Sequence, residues 1–274
     1  MDITAVPQGQ CADIGDGLRV HSHEAGEGPA VVFVHGSGPG ATGWSNFKHN
    51  YEVIAAAGFR CIVPDLLGYG FSSADDDLDY SWELLVRGIR GLCDALGLEK
   101  VTLVGNSMGG ALCIQLALDA PELVERMILM APGGIEDREV YMGMRGIRTM
   151  LKVLYSEGVT RDSMKKIFEL QLFDETQITD EILAERFEVY PLQAKNILGK
   201  VTVPNLAPRL PELRCPVFGL WGQNDNFTPV SGVGVLMTGI ENVRVLSINR
   251  CGHWVMVEHA DLFNRSCIDF LQHG

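Results

Sequence analysis

The stretch KVTLVGNS (100–107) ends an apolar, strand-like run and passes without a linker into the helical pattern GALCIQLALDAP (110–121). The turn itself reads Gly105-Asn106-Ser107-Met108-Gly109, a G-x-S-x-G motif. Backbone at such a turn is strained, and the residues two positions either side of its centre must be small. A serine held there is displayed at the carboxyl end of a strand. It also sits at a helix N-terminus, whose free N–H groups favour developing negative charge. Ser107 is therefore the candidate nucleophile.

The rest of the chain repeats the alternation of strand and helix. AVVFVHG (30–36), FRCIVPD (59–65), RMILMAP (126–132) and CPVFGLWG (215–222) are continuous apolar runs, as expected of strands buried on both faces. WELLVRGIRGLCDALG (82–97) is helical in period, and GLRVHSH (17–23) alternates as a strand before a GEGP turn. This rhythm predicts an α/β class fold with a mostly parallel central sheet flanked by helices. Between 136 and 208 the buried strands stop, and charged, Met-rich helical segments such as MKKIFELQLF, TDEILAERFEV and PLQAKNILGKV take over. We read this as a helical lid (136–208) inserted after the sixth strand, with 1–135 and 209–274 forming the core. Most of Met142, Met144, Met150 and Met164 are expected in the lid core.

A length of 274 residues suits one large domain, and the net charge of −13 argues against nucleic-acid binding, which needs a basic footprint. No run approaches the roughly 20 apolar residues of a membrane span. The N-terminal MDITAVPQGQ lacks the basic and apolar regions of a secretory signal. Seven cysteines are scattered singly, without a CxxC pair, and read as reduced thiols rather than disulfides or metal ligands. A cytoplasmic enzyme follows most simply.

A serine hydroxyl needs a base. His253, in Asn-Arg-Cys-Gly-His-Trp, follows the strand-like VRVLSI and precedes the closing helical segment EHADLFNRSCIDFL. That places it on a loop over the carboxyl edge of the sheet. His35 reads as structural and His259 as a surface or capping residue. The acid that orients the base should end an intervening strand. Asp225, after PVFGLWG, is favoured, with Asp137 as the alternative. The order Ser, Asp, His is that of the fold with this serine turn. The loop after AVVFV, His35-Gly36-Ser37-Gly38-Pro39-Gly40, should supply the second oxyanion donor, Ser37 N–H, beside Met108 N–H. Gly38, Gly40 and Gly43, with Asp65 beyond, also match a dinucleotide fingerprint formally. Pro39 removes a donor where a pyrophosphate would lie, so that match is weak.

HGSGPGATGWSNF (35–47), GNSMGG (105–110) with LMAPGG (129–134), and CGHWVMVEHADLFN (251–264) together resemble the meta-cleavage product hydrolases of the α/β-hydrolase superfamily. These cleave a carbon–carbon bond of 2-hydroxy-6-oxo-hexa-2,4-dienoates derived from aromatic rings. The resemblance implies an α/β-hydrolase fold, a small anionic dienoate substrate with an aryl C6 substituent, no metal or organic cofactor, and a homodimer or higher oligomer. It further implies that Asn46, Asn106, Gly38 and Trp254 contact the substrate, that Arg186 binds its carboxylate and 2-oxo group, and that Phe173 lines the distal pocket. From spacing alone, Arg186 reads rather as a solvated helix residue flanked by Glu185 and Glu188. The lid after Arg186 is several residues shorter than in the relatives. A carboxylesterase or lactonase of the same fold is the alternative function.

Overall fold

The computed structural model describes residues 6–195 and 197–274. The first five residues of the segment read for a secretory signal, and Asn196 in the lid, lie outside the described residues. Eight strands form one sheet: β1 (Gln10–Asp13), β2 (Arg19–Ala25), β3 (Ala30–Val34), β4 (Arg60–Pro64), β5 (Val101–Asn106), β6 (Val124–Met130), β7 (Val217–Gly222) and β8 (Val243–Ile248). Their spatial order is β1-β2-β4-β3-β5-β6-β7-β8. The β1-β2 and β2-β4 pairs are antiparallel, and all other pairs are parallel.

The period of two along each strand splits the core into two layers. Val32, Val34, Leu103, Met127 and Leu129 face one layer, and Val31, Phe33, Val104, Ile128 and Met130 face the other. Helices cover both faces, so these runs are mostly apolar, with Thr102 a buried polar exception in β5. They are α1 (Gly43–Phe47), α2 (Tyr51–Ala56), α3 (Trp82–Ala95) and α4 (Met108–Asp119), followed in the lid by α5 (Arg138–Gly143), α6 (Arg145–Lys152), α7 (Arg161–Gln171), α8 (Asp180–Val189) and α9 (Ile197–Lys200). After the lid come α10 (Gly232–Gly239), α11 (Val255–Glu258) and α12 (Ala260–His273). The alternation in β2 does not expose one face. His21 and His23 are buried there, with His21 Nδ1 2.9 Å from Asp65 Oδ2 and His23 packed on Trp44.

The helical elements from Arg138 to Lys200, in the stretch expected to form the lid, follow β6. Thr160 and Thr179 cap α7 and α8 by accepting backbone N–H groups, the capping-residue pattern for helix starts. A π-helical turn at Val153–Glu157 separates α6 from α7. The stretch PLQAKNILGKV, expected as helix, is instead a 3₁₀ turn at Tyr190–Leu192 and the short α9. Met150 and Met164 are core residues, whereas Met144 is half-buried and Met142 is exposed. All seven cysteines are free, and all but Cys11 are buried. No helix among the described residues is long and apolar enough to cross a membrane.

Candidate active site

Ser107 occupies the turn between β5 and α4 with φ 55° and ψ −121°, a conformation costly for any L-residue. The turn is held by its own hydrogen bonds. Ser107 N–H donates to Met130 O, and its carbonyl accepts from Ala111 and Gly133 N–H. A Cβ on Gly105 would stand 2.7 Å from Cys113 Sγ and Gly109 O, and one on Gly109 would strike the Val34 carbonyl. The two glycines are thus required by close packing of α4 against β3 and β5. Gly109→Ala is expected to cost about 1–3 kcal/mol by overpacking and to lower Tm by several degrees in calorimetry. An unchanged Tm would show that α4 can shift without cost.

His253 follows β8 on a buried loop. Its Nδ1–H donates to Asp225 Oδ2 at 2.7 Å, leaving Nε2 as the basic ring nitrogen. Phe227 stacks on the imidazole, with centroids 5.2 Å apart and planes at 25°. Asp225, after β7, is buried and spends its other oxygen on backbone. Oδ1 accepts from Phe227 N–H (2.6 Å) and Thr228 N–H (3.0 Å), while Oδ2 also accepts from Thr228 Oγ1–H (2.7 Å). The alternative acid, Asp137, is exposed at the start of α5 and accepts from Asn205 Nδ2–H, so it does not reach the histidine. Asn106, next to the serine, donates to the carbonyl of His253 at 3.5 Å and so ties the two loops together. Among the described residues no hydrogen bond joins Ser107 Oγ to the imidazole; such bonds often tighten only when substrate is bound.

His35 proves structural. Its Nδ1–H donates to Gly36 O, its Nε2 accepts from Leu66 N–H, and burial pulls its pKa down to about 4. Ser37 and Met108 both line the cavity at Ser107, and the start of α4 leaves Met108 N–H without an intrahelical acceptor. The dinucleotide resemblance finds no room. The Arg186 carbonyl occupies the space a Cβ on Gly40 would take, and Asp65 is consumed by His21, Gly43 N–H and Phe71 N–H.

Arg186, on α8, is only 3% exposed, which removes the reading as a solvated residue. Its guanidinium lies over the Trp254 ring at 4.8 Å and near Phe168 at 5.9 Å. Among the described residues it has no carboxylate partner. Neighbouring Glu185 is taken by Lys48 Nζ at 2.5 Å, and the Arg186 Nε atom has no hydrogen-bond partner among the described residues. Burial pulls the Arg186 pKa down to about 9. The arrangement holds a desolvated cation, stacked on an aromatic face, one residue from His253. Asn106 Oδ1 is likewise buried without a partner. Asn46 is buried on α1 and donates to Thr42 O at 2.9 Å, and Gly38, at φ 142°, leaves open space where a side chain would be. Phe173, expected to line the distal pocket, is 39% exposed beneath Arg250 just after α7; like Arg186, Trp254, Asn46, Asn106 and Gly38, it is not among the residues lining the cavity at Ser107.

That cavity, about 400 Å³, is walled instead by Met142, Ile147, Met150, Leu151 and Phe227, with Arg138, Tyr141 and Asn205 adding polar groups. The methionine-rich pattern of the lid was the one sequence signal for this wall, and it did not separate core from pocket. No cluster of three or more His, Cys, Asp or Glu suited to a metal ion occurs among the described residues.

A strained serine, an aspartate-held imidazole on the loop that Asn106 ties to it, and this sheet with helices inserted after β6 define a class. The chain belongs to the alpha/beta hydrolase family, whose pattern it matches over residues 31–266. Within that family it is one of the meta-cleavage product hydrolase group. It is 39% identical to a 2-hydroxy-6-oxo-6-phenylhexa-2,4-dienoate hydrolase of Burkholderia cepacia, across 94% of this chain and 92% of that one. It is 38% identical to a 2-hydroxy-6-oxononadienedioate/2-hydroxy-6-oxononatrienedioate hydrolase of Comamonas testosteroni, with the same two coverages. The solved meta-cleavage product hydrolase of Pseudomonas fluorescens IP01, complexed with acetates, superposes with a TM-score of 0.86 at 27% identity over 97% of this chain and 98% of that one.

Proposed function

We propose that this chain hydrolyses the C5–C6 bond of a 2-hydroxy-6-oxo-hexa-2,4-dienoate carrying an aryl group at C6. The observation that carries the reading is the buried, unpaired guanidinium of Arg186 on Trp254, beside the serine–histidine site. A buried cation without a counter-ion is costly, and a planar carboxylate with an adjacent 2-oxo group supplies the missing charge and acceptors. Asn106, Asn46 and Gly38 would complete the polar end. The largely apolar cavity at Ser107 suits an aryl C6 substituent.

In this scheme the bound dienol loses its 2-hydroxyl proton and gains one at C5, giving a 2-oxo group that can accept electrons. His253 Nε2 takes the Ser107 proton as Oγ attacks C6. The C6 oxyanion is met by Ser37 and Met108 N–H. When the tetrahedral adduct collapses, the C5–C6 electron pair moves through C4 and C3 onto the 2-oxo oxygen, and protonation releases 2-hydroxypenta-2,4-dienoate. Water, deprotonated by His253, then hydrolyses the acyl-serine to a carboxylic acid. The proposal includes a cytoplasmic setting, which seven unpaired thiols fit, and assembly as a homodimer or larger.

The test compares 2-hydroxy-6-oxo-6-phenylhexa-2,4-dienoate with p-nitrophenyl esters, in the parent chain and in Arg186→Gln. Loss of two charge-assisted hydrogen bonds should lower kcat/KM for the dienoate about 10- to 100-fold, with ester hydrolysis nearly unchanged. Tm should hold or rise, because a buried unpaired charge is removed. Ester cleavage without any dienoate cleavage would make the protein an esterase or lactonase and Arg186 a lid residue.

A further inference from the structure

We infer that Glu258, on α11, is a positioning residue that sets the His253 loop against the lid. Its carboxylate serves both sides. Oε1 accepts from the N–H groups of Phe173 (2.6 Å) and Asp174 (3.1 Å), in the lid turn that follows α7. Oε2 accepts from the N–H of Gly252 (2.5 Å), the residue before His253. A fourth bond runs directly across the same seam, from His253 N–H to the carbonyl of Gln171 at 2.7 Å. The seam has no slack, since a Cβ on Gly252 would run into that Gln171 carbonyl.

This connection reaches the reacting groups from two directions. Through Gly252 it fixes the backbone from which the imidazole projects. Through the end of α7 it fixes Phe168, which packs on Trp254 with centroids 5.2 Å apart. An ionised carboxylate is the side chain that can accept from all three backbone donors at once. A glutamine of the same shape has one acceptor oxygen, so at least one of the two seam faces would confront its NH₂ with another N–H. The loop or the lid turn would then move, and displacements of about 1 Å in such sites cost roughly 100-fold in rate.

Glu258→Gln tests this, with active sites counted by reaction to completion with a fluorophosphonate so that unfolded protein does not enter the rate. On the phenyl dienoate, kcat per titrated site should fall about 10- to 100-fold while KM changes less than about threefold. The kcat for a p-nitrophenyl ester should fall by a similar factor, because the same base serves both reactions. An unchanged kcat per titrated site, with loss only in Tm or in the titratable fraction, would make Glu258 a structural staple and overturn the inference. The ester measurement stands apart from the dienoate proposal, so failure of the parent chain on dienoates would sink that proposal and leave this one to be judged.

Discussion

Ser107→Ala is expected to lower turnover of the dienoate by roughly 10⁵- to 10⁶-fold and to leave substrate binding within a few-fold of the parent. The proposed chemistry has no other route to an acyl intermediate. Binding, by contrast, is assigned to Arg186, Trp254 and the asparagines, none of which hydrogen-bonds the deleted hydroxyl among the described residues. Alanine keeps the Cβ, and the turn is held by backbone bonds to Met130, Ala111 and Gly133, so the fold should survive. The loss of dienoate absorbance gives the rate, and an equilibrium titration monitored by the same absorbance gives the affinity. Turnover within about tenfold of the parent would rule out a serine nucleophile, because such losses follow from removing the attacking atom itself.

Asp225→Asn should cost about 10⁴-fold in kcat for a different reason, with Tm little changed. All four groups around Asp225 are donors: Phe227 N–H, Thr228 N–H, Thr228 Oγ1–H and His253 Nδ1–H. Asparagine must turn its NH₂ toward one side. Facing the two backbone N–H groups would set three donors together, so the NH₂ is expected to face Thr228 Oγ1 and His253 Nδ1. The threonine hydroxyl can rotate to accept, but the imidazole can accept at Nδ1 only by moving its proton to Nε2. The ring then presents an N–H to Ser107 in place of a lone pair. Steady-state kinetics in Asp225→Asn and Asp137→Asn separate the two acids. A large loss in the Asp137 variant with little in the Asp225 variant would reverse the assignment.

Much of this site could be read along the chain because its parts are local. Each proposed catalytic side chain sits just beyond a strand, and the glycines flanking Ser107 answer a packing demand within a few residues of it. The mostly apolar runs marked the parallel strands for the same reason: a strand covered on both faces carries few polar positions. The helical insertion between β6 and β7 showed itself by the loss of that pattern. The short edge strand β1 carried no comparable signal, since its residues are mostly exposed and pair only with β2.

The rest depended on contacts between segments far apart in sequence. Asp225 and Asp137 both follow strands, and only the loop from β8 folding back over β7 decides which carboxylate meets the imidazole. Arg186 has charged neighbours on its helix, and nothing local says that Lys48 takes Glu185 while the guanidinium is pressed onto Trp254. Phe173 looked like a pocket residue from the family pattern, yet the turn that Glu258 gathers carries it to the surface. Hydrophobic period and turn chemistry are properties of a few neighbouring residues, so the order of the chain determined the sheet, the serine turn and the place of the lid. Burial, charge pairing and the walls of a cavity are properties of surfaces brought together by folding, and only the docked lid decided those.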